Sequence, residues 1–302
     1  MTDKLPMIAV IATNASTPDI LWRTLESLGR ADLPAGWRGV WVVENGGTHR
    51  AVDAVVSAPD RLKVRHLPTP DRGKCRALNQ AAKWAAAMMP GALMVLLDDD
   101  VRVDTGTLTA YADAASARPA NAFFGGPTDV DYERDVPVWL LDYLPVSARG
   151  WSHGGGPVTE PVFLGFNWAA YAKDILAVGG FDESRGPGSG TATLGDEGDM
   201  QQRLLDAGNT AHYVQAAKVW HWVPADKCTP DWALERNYQQ GLEAGRQVGP
   251  NERLPLWLRR RQLVAALRKL AAPIFGANAA FAAEHKARFN AGLADGMRLA
   301  SR

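Results

Sequence analysis

The sequence predicts an α/β protein built on a mostly parallel sheet that is flanked by helices. Through the first hundred residues, apolar runs bounded by turn residues alternate with segments whose apolar residues recur at helical spacing. An uninterrupted apolar run is typical of a parallel strand that is buried on both faces. With 302 residues, of which 46% are hydrophobic, the chain can bury a large core, and its composition excludes disordered and coiled-coil classes.

The first half of the chain contains four predicted strands and two predicted helices. The strands are residues 7–13, 39–44, 63–67 and 92–97, and the helices are residues 19–28 and 76–89. Pro90 and Gly91 end the second helix directly before the most apolar strand, Ala92–Leu97. Such alternation requires right-handed crossovers, and ligands of these sheets bind at the carboxyl ends of the strands.

The pattern changes after about residue 120. Gly, Pro and Trp accumulate between residues 123 and 190 without clear periodicity, which favours loops and a mixed sheet. From Pro255 onward the composition is again that of helices, with basic clusters at 259–261 and 268–269. We therefore expect one domain over residues 1–250 and a helical extension over residues 251–302.

Charge and cysteine content narrow the functional classes. The chain has 33 Lys and Arg against 33 Asp and Glu, so its overall balance gives no indication of a nucleic-acid partner. Cys75 and Cys228 are far apart and lack metal-type spacing, which suits a reducing compartment. The N-terminus lacks a signal-peptide pattern and no apolar window approaches 18 residues, so we expect a cytoplasmic protein.

Three consecutive carboxylates follow the most apolar strand. Asp98, Asp99 and Asp100 repel one another, and a divalent cation is the simplest reason to tolerate them at the mouth of a buried strand. A hard oxygen site of this kind suits Mg²⁺ or Mn²⁺ chelated by a diphosphate. In an extended segment, Asp98 and Asp100 would point to one side and Asp99 to the other. The alternative is a solvated acidic turn, which the position after six apolar residues disfavours.

Several segments, in order, resemble family 2 glycosyltransferases, which have the GT-A fold. The resemblance covers roughly residues 7–240 and rests on IAVIATNASTPDILWRTLESL, WVVENGGT, DRGKCRALNQAA, VLLDDDVRVD with its DxD motif, FLGFNWAAYAKDILAVGGFDE, LGDEGDMQQRLLDAG and VWHWVP. It implies a Rossmann-like sheet and a metal-dependent, inverting transfer from a nucleoside-diphosphate sugar to an acceptor hydroxyl. It further implies a nucleotide-binding half over residues 1–120 and an acceptor half over residues 121–250.

The resemblance also assigns donor and metal ligands. Asp98 would face the ribose, and Asp100 would ligate the Mn²⁺ or Mg²⁺ that bridges the donor phosphates. His221 lies at a family position that can complete the metal shell, although a lone His between two Trp is otherwise more often a packed core residue. The remaining implied contacts with the sugar donor are Thr13, Glu44, Arg72, Lys74, Asp99 and Asn167. The alternative for Arg72 and Lys74 is a solvated loop, and that for Asn167 is a hydrogen bond at a strand end.

A catalytic base is expected in the second acid cluster. Asp196, Glu197 and Asp199 precede or begin a helix, where carboxylates are also favoured by free N–H groups and the helix dipole. We assign Asp199 to that structural role. The family's base falls at the second acid of the motif, Glu197, and the swapped order of Asp and Glu leaves Asp196 as an alternative. Burial near the sugar would raise the pKa of such a base.

Two other functions fit part of the pattern. A sugar nucleotidyltransferase has a similar sheet and acidic metal sites, but it usually carries a Gly-rich basic loop where this chain has ATNASTPD. A non-catalytic nucleotide-sugar-binding module would not need Asp98, Asp100, Glu197 and His221 together. The acceptor stays open among polysaccharide, lipid-linked sugar, protein and small molecule.

The C-terminal segment has its own charge. Residues 251–302 contain ten Lys or Arg and three acids, a net of 10 − 3 = +7, with an apolar stripe that includes Leu256, Leu263, Leu267 and Leu270. A basic amphipathic helix can lie on an anionic membrane surface. The alternatives are packing on the catalytic domain or a homodimer. We therefore expect the protein to be either free in the cytoplasm or peripheral at the inner face of the membrane.

Overall fold

The computed structural model describes residues 4–118, 120–154, 157–188, 195–248 and 254–299. These residues form ten strands and eleven helices. The strands are β1 (Met7–Thr13), β2 (Trp37–Asn45), β3 (Arg65–Thr69), β4 (Leu93–Leu97), β5 (Val101–Val103), β6 (Ala122–Gly125), β7 (Thr128–Tyr132), β8 (Trp168–Tyr171), β9 (Thr210–Tyr213) and β10 (Val219–Val223). The helices are α1 (Pro18–Arg30), α2 (Val52–Val56), α3 (Lys74–Met88), α4 (Thr107–Ser116), α5 (Val138–Leu141), α6 (Val146–Arg149), α7 (Ala172–Ala177), α8 (Asp196–Asp206), α9 (Pro230–Val248), α10 (Leu256–Ala271) and α11 (Ala277–Leu299).

Seven of the strands form the main sheet, in the order β3-β2-β1-β4-β8-β6-β9. The first four strands are parallel to one another, β8 is antiparallel to β4 and β6, and β9 is parallel to β6. The other three form a small sheet in the order β5-β10-β7. The expected mostly parallel sheet with flanking helices and a helical C-terminus is therefore confirmed.

Alternate residues of β1 enter two separate hydrophobic clusters, one on each face of the sheet. Met7, Ala9 and Ile11 pack in the cluster that contains the apolar residues of α1 and α4. Ile8 and Val10 pack in the cluster that contains those of α3 and α8. Because both faces of β1 are covered, the strand is a continuous apolar run, which explains the pattern that predicted it.

The chain divides into two compact units. One is Met1–Val130 with Gly150–Trp222, and the other is Asp131–Arg149 with Val223–Arg302. Every residue assigned to the site from sequence belongs to the first unit. In the second unit α9 packs against α11, and the boundary expected at residue 250 lies among residues 249–253, outside those described.

Helices α9 and α11 approach each other through glycines. A Cβ atom built on any of four glycines would lie 2.0–2.2 Å from a backbone oxygen of the other helix, at Gly241, Gly245, Gly292 and Gly296. Real Cβ atoms do not come this close to backbone, so the two helices could pack this tightly only where no side chain separates them. The second unit therefore depends on these glycines for its helix packing.

We expect Gly292→Ala to destabilise the second unit by about 1–3 kcal/mol, the usual cost of overpacking a tight contact. The added methyl group would meet the carbonyl oxygen of Tyr238, and neither backbone can yield without separating the helices. Circular dichroism during chemical denaturation measures the effect. Gly198→Ala in α8 is the matched control, because its Cβ meets open space and alanine favours a helix by about 1 kcal/mol. Equal stability of Gly292→Ala and the wild type would contradict the packing argument.

Candidate active site

The candidate site lies where the strand order of the main sheet reverses. Strands β1, β2 and β3 run outward in one direction and β4 lies on the other side of β1, so the carboxyl ends of β1 and β4 flank a crevice. A pocket of about 180 Å³ opens there. Its lining residues are Ala12, Thr13, Asn14, Asn45, Lys74, Asp98, Asp99, Pro187 and Gly188. The pocket is therefore a polar cleft at the position where open α/β sheets bind ligands.

The three consecutive carboxylates form a turn between β4 and β5, and each has a different partner. Asp98 accepts a hydrogen bond from Lys74, and Asp99 accepts one from the Thr13 hydroxyl. The Oδ2 atom of Asp100 lies 3.3 Å from Nε2 of His221. The expectation that Asp99 would point away from Asp98 is wrong, because alternation holds for a strand and these residues are not in one.

Lys74 brings a positive charge into the pocket. It is the first residue of α3, and its backbone N–H donates to the Pro187 carbonyl at 3.0 Å. Burial alone would lower the pKa of Lys74, but the negative charges of Asp98, Asp196 and Glu197 raise it well above its usual value. Lys74 therefore stays charged, and it is not part of a solvated loop.

Two carboxyl groups of the turn, those of Asp98 and Asp99, have raised pKa values. Burial raises the pKa of Asp98, opposed by Lys74, while the negative charge of Asp100 raises it further. Burial also raises the pKa of Asp99 to about 6, although the hydrogen bond from Thr13 lowers it. A cation entering this cleft would favour the ionised form of these carboxyl groups, because a nearby opposite charge lowers a carboxyl pKa.

His221 is held in place by strand pairing and by an aromatic ring. His221 pairs with Val101 where β10 runs antiparallel to β5. The backbone N–H of the next residue, Trp222, donates to the Asp100 carbonyl at 2.8 Å. The imidazole stacks on Phe166 with ring centroids 4.5 Å apart. The ring nitrogen and the Asp100 carboxylate are thus fixed beside each other.

The oxygen and nitrogen donors at Asp100 and His221 fit a divalent cation. Neighbouring ligands of one octahedral ion with bonds of about 2.1 Å lie about 3 Å apart, close to the 3.3 Å between Asp100 Oδ2 and His221 Nε2. Within the described residues, no group of three or more His, Cys, Asp or Glu side chains has metal-binding geometry. An ion here would therefore need further ligands from a substrate, as Mg²⁺ commonly takes from phosphates.

Two further acids approach the cleft from the first turn of α8. Asp196 is buried and lies 3.6 Å from the Cys75 sulfur, which donates to it. Burial, followed by the charge of Asp196, raises the pKa of Glu197 to about 7, whereas Lys74 lowers it. A Glu carboxylate with a pKa near neutrality is suited to accept a proton.

Asp199 makes a structural contact, an ion pair within α8. Its Oδ2 atom accepts hydrogen bonds from Nε and a terminal nitrogen of Arg203, at 3.0 and 2.7 Å, one helical turn later. The same guanidinium donates to the carbonyls of Val178 and Gly180. Arg203 therefore links α8 to the end of α7. Asp199 is bound to Arg203 and is not paired with the acids of the cleft.

Glu44 was expected to contact the sugar nucleotide, but in the structure it binds groups of the protein. Its side chain is fully buried, with oxygens accepting from the Thr48 hydroxyl and from the backbone N–H groups of Arg50 and Ala51, and with His66 Nε2 at 2.7 Å. Burial alone would raise the pKa of Glu44, but these hydrogen bonds hold it below its usual value. The contacts are those of a structural carboxylate that orders the loop after β2.

Asn167 was likewise expected to contact the sugar nucleotide, but it too binds groups of the protein. It is fully buried, accepts a hydrogen bond from Tyr111, and donates to the carbonyls of Pro127 and Ala217 at 2.9 and 3.0 Å. These bonds correspond to the alternative named above, a hydrogen bond at a strand end. Arg72, by contrast, is exposed and lies along Gly46 at the rim of the loop after β2.

Asn45 lines the pocket and was not predicted from sequence. Its amide nitrogen donates to the Thr13 carbonyl at 2.9 Å, and its amide oxygen accepts from the Gly73 N–H at 3.2 Å. The side chain thereby connects the carboxyl ends of β1 and β2 to the start of α3. The sequence could have indicated it, because a polar residue at the carboxyl end of a buried parallel strand lies at the ligand-binding edge of the sheet.

The sequence model for "Glycosyl transferase family 2" matches residues 7–165, more than half of the chain. The chain belongs to this family. It is therefore a glycosyltransferase, and the resemblance stated from its motifs is confirmed. Among curated protein sequences, none matches the chain.

Solved structures share its fold. A mannosyltransferase from Pyrobaculum calidifontis, PcManGT, solved in complex with GDP-Man and Mn²⁺, is 17% identical with a TM-score of 0.60, over 97% of this chain and 87% of that one. GalNAc-T7, solved with UDP, GalNAc and Mn²⁺, is 14% identical with a TM-score of 0.55, over 83% of this chain and 52% of that one. Residues 1–349 of TarS from S. aureus are 13% identical with a TM-score of 0.51, over 96% of this chain and 90% of that one. These similarities support the GT-A fold, and the chain spans about half the length of GalNAc-T7.

We expect Glu44→Gln to lower the free energy of unfolding by about 2–3 kcal/mol at neutral pH, because hydrogen bonds to a buried charged group contribute about that much. The pKa of Glu44 is depressed in the folded state, so its contribution is present above the unfolded pKa and is lost as pH falls through the folded pKa. The difference between variant and wild type should therefore shrink in acid, as measured by denaturation at several pH values. Glu160→Gln, at an exposed position, is the control. If Glu44→Gln left the stability unchanged and weakened nucleotide binding, Glu44 would instead contact the nucleotide, as expected from the sequence.

Proposed function

We propose that the chain is a metal-dependent, inverting glycosyltransferase that moves a sugar from a nucleoside-diphosphate sugar to an acceptor hydroxyl. The observation that carries the proposal is the convergence at one cleft of Lys74 and Asp98 with Glu197, whose pKa is near 7. Family membership and the nucleotides of the solved neighbours support a nucleotide-sugar donor.

The donor half of the reaction is assigned to residues 1–120. Thr13, Asn45 and Asp98 surround the pocket, so that they can contact the nucleotide, and Lys74 can bind the oxygens of a diphosphate because it remains charged. Asp100 and His221 would hold Mn²⁺ or Mg²⁺ together with phosphate oxygens. Such an ion would neutralise the charge that develops on the departing diphosphate.

The acceptor half is assigned to residues 121–250, with Glu197 as the base. Its carboxylate takes the proton of the acceptor hydroxyl as the acceptor oxygen bonds to the anomeric carbon of the donor sugar. The bond from that carbon to the phosphate oxygen breaks on the opposite face, and the nucleoside diphosphate leaves. Inversion follows from this single displacement. Asp196 is the alternative base, and its burial against Cys75 makes it less available.

Asp100→Asn and His221→Gln should each weaken Mn²⁺-dependent binding of a nucleoside diphosphate by at least about tenfold, the lower range for losing a group that supports a metal ligand. Calorimetric titration of UDP, GDP, ADP, CDP and dTDP with and without Mn²⁺ measures this without turnover. His212→Gln, which removes an imidazole from another part of the same unit, is the control. If both variants bound Mn²⁺ and nucleotide as the wild type does, the metal assignment would fail.

Glu197→Gln should reduce kcat by about 10²–10⁴, the contribution of a positioned general base. In the wild type, activity should fall as pH drops below about 7, because the base must be deprotonated. Asp196→Asn should keep activity and move this acid limb to lower pH, because the charge of Asp196 raises the pKa of Glu197. Rates are measured as nucleoside diphosphate release across a donor panel.

Asp206→Asn, at the exposed end of α8, is the matched control and should leave the profile unchanged. A large loss of kcat in Asp196→Asn with little loss in Glu197→Gln would reverse the two assignments. Release of pyrophosphate in place of a nucleoside diphosphate would favour a nucleotidyltransferase. Donor binding without turnover by any acceptor class would favour a binding module.

A further inference from the structure

The outward face of α10 is unlike that of an ordinary surface helix. Its large apolar side chains are exposed, with Leu256 at 82%, Leu267 at 57% and Leu270 at 78% of their full exposure. The 3-10 turn that follows exposes Ile274 and Phe275 as well. An exposed apolar patch this continuous on a soluble domain marks an interaction surface.

The orientation of α10 explains which residues are outward. Leu258 and Ala265 are the buried residues of the helix, and they are seven positions apart, so they lie on one side about two turns from each other. At about 100° per residue, the opposite side is centred between Leu256 and Leu267. This exposed side, which we call the α10 outer face, consists of Leu256, Arg259, Arg260, Arg261, Leu263, Val264, Leu267, Arg268 and Leu270.

Positive charge borders this apolar strip on both sides. Arg259 lies along one edge of it, Arg261 and Arg268 lie along the other, and Arg260 lies between Leu267 and Val264 within the strip. Helix α10 contains five basic residues and no acidic one. Within the described part of the second unit, Lys269 is paired with Glu284, at 2.5 Å, and no ion pair involves the four arginines of the outer face. The face therefore presents uncompensated cations around an apolar strip.

A cavity beside the outer face adds a polar site. About 560 Å³ of space lies between α10 and α11, bordered by Trp257, Val264, Arg261, Arg268 and Lys286. Asn290 also lines it, is 1% exposed, and within the described residues has no hydrogen-bond partner for either side-chain polar atom. Apolar walls, four cations, which are the three just named and Arg260, and an unsatisfied amide suit a molecule with an anionic head and an apolar body.

We propose that the α10 outer face docks on an anionic phospholipid bilayer, with a lipid headgroup entering the cavity beside it. The apolar strip would lie at the level of the upper acyl chains, while the flanking arginines meet the phosphates, as is usual for interfacial amphipathic helices. Trp257, at the border of the strip, has the position that tryptophan favours at membrane interfaces.

Charge distinguishes this partner from a second copy of the chain. A two-fold dimer through the outer face would place the same surface on both sides and bring the arginine rows together. Like charges juxtaposed at an interface oppose association. No helix among the described residues could cross a membrane, so docking would be peripheral. The proposal does not depend on the reaction, because docking is measured without turnover.

The experiment is flotation of the full chain with phosphatidylcholine vesicles that contain none or about a quarter of phosphatidylglycerol. We expect binding to the anionic vesicles at about 0.01 M salt, strongly reduced at about 1 M, where the Debye length falls from roughly 30 to 3 Å. Arg259→Glu with Arg261→Glu and Arg268→Glu should weaken partitioning by about a hundredfold or more, at roughly fivefold for each removed cation. Equal binding to neutral vesicles, or none to anionic vesicles at low salt, would overturn the proposal.

A control with the same change in net charge places the substitutions elsewhere, with Arg38→Glu, Lys83→Glu and Lys173→Glu at exposed positions of the first unit. This variant should bind vesicles within a few-fold of the wild type, since none of the three cations belongs to the α10 outer face. Equal loss in both charge variants would mean that net charge alone drives binding and would overturn the assignment to α10.

The double variant Leu263→Ser with Leu267→Ser tests the apolar strip. Its control is the double variant Val56→Ser with Met88→Ser, which changes two exposed apolar residues of the first unit. The first pair should weaken partitioning and the second should not. Brominated acyl chains should quench the fluorescence of the wild type more than that of Trp257→Phe. Dimerisation in light scattering that the first pair abolishes, with vesicle binding unaffected, would show that a second copy occupies the face.

Discussion

The ammonium group of Lys74 is the charge on which the arrangement of the cleft depends. Carboxylates reach it from two directions, Asp98 from the end of β4 and Asp196 and Glu197 from the start of α8. Buried carboxylates without a cation would repel one another and lose hydration, and each would tend to take up a proton. Lys74 opposes the effect of burial on both Asp98 and Glu197, yet the pKa of Asp98 stays raised and that of Glu197 is raised to about 7.

The sheet fixes Lys74 and its partners with little freedom. Because β1 is covered on both faces, its end at Thr13 is held by two hydrophobic clusters. Asn45 then connects that end to the first turn of α3 by two hydrogen bonds, and the Pro187 carbonyl binds the backbone N–H of Lys74. A polar cleft built at the edge of a rigid core keeps its geometry before any ligand arrives, which lowers the cost of binding one.

The sequence was sufficient for features that repeat or that carry a motif, and insufficient for features that depend on burial. Uninterrupted apolar runs predicted β1 and β4 because both strands are covered on two faces. Glu44 and Asn167 could not be placed correctly, because a polar residue near a strand end looks the same whether it meets a ligand or a backbone amide. The direction expected for Asp99 was wrong because β4 ends at Leu97, two residues before it, and the boundaries of elements depend on tertiary contacts.

Glu197 and His221 lie outside the segment that matches the family, residues 7–165, although they face groups within it. In the proposed reaction, the base that acts on the incoming hydroxyl, Glu197, is thus encoded apart from Thr13, Lys74 and Asp98, which line the donor pocket, while His221 joins Asp100 from outside the matched segment. Mutation can then alter one stretch while the other stays intact. On the proposed roles, substitutions near Glu197 could change the acceptor that is used while the residues of the donor pocket stay the same.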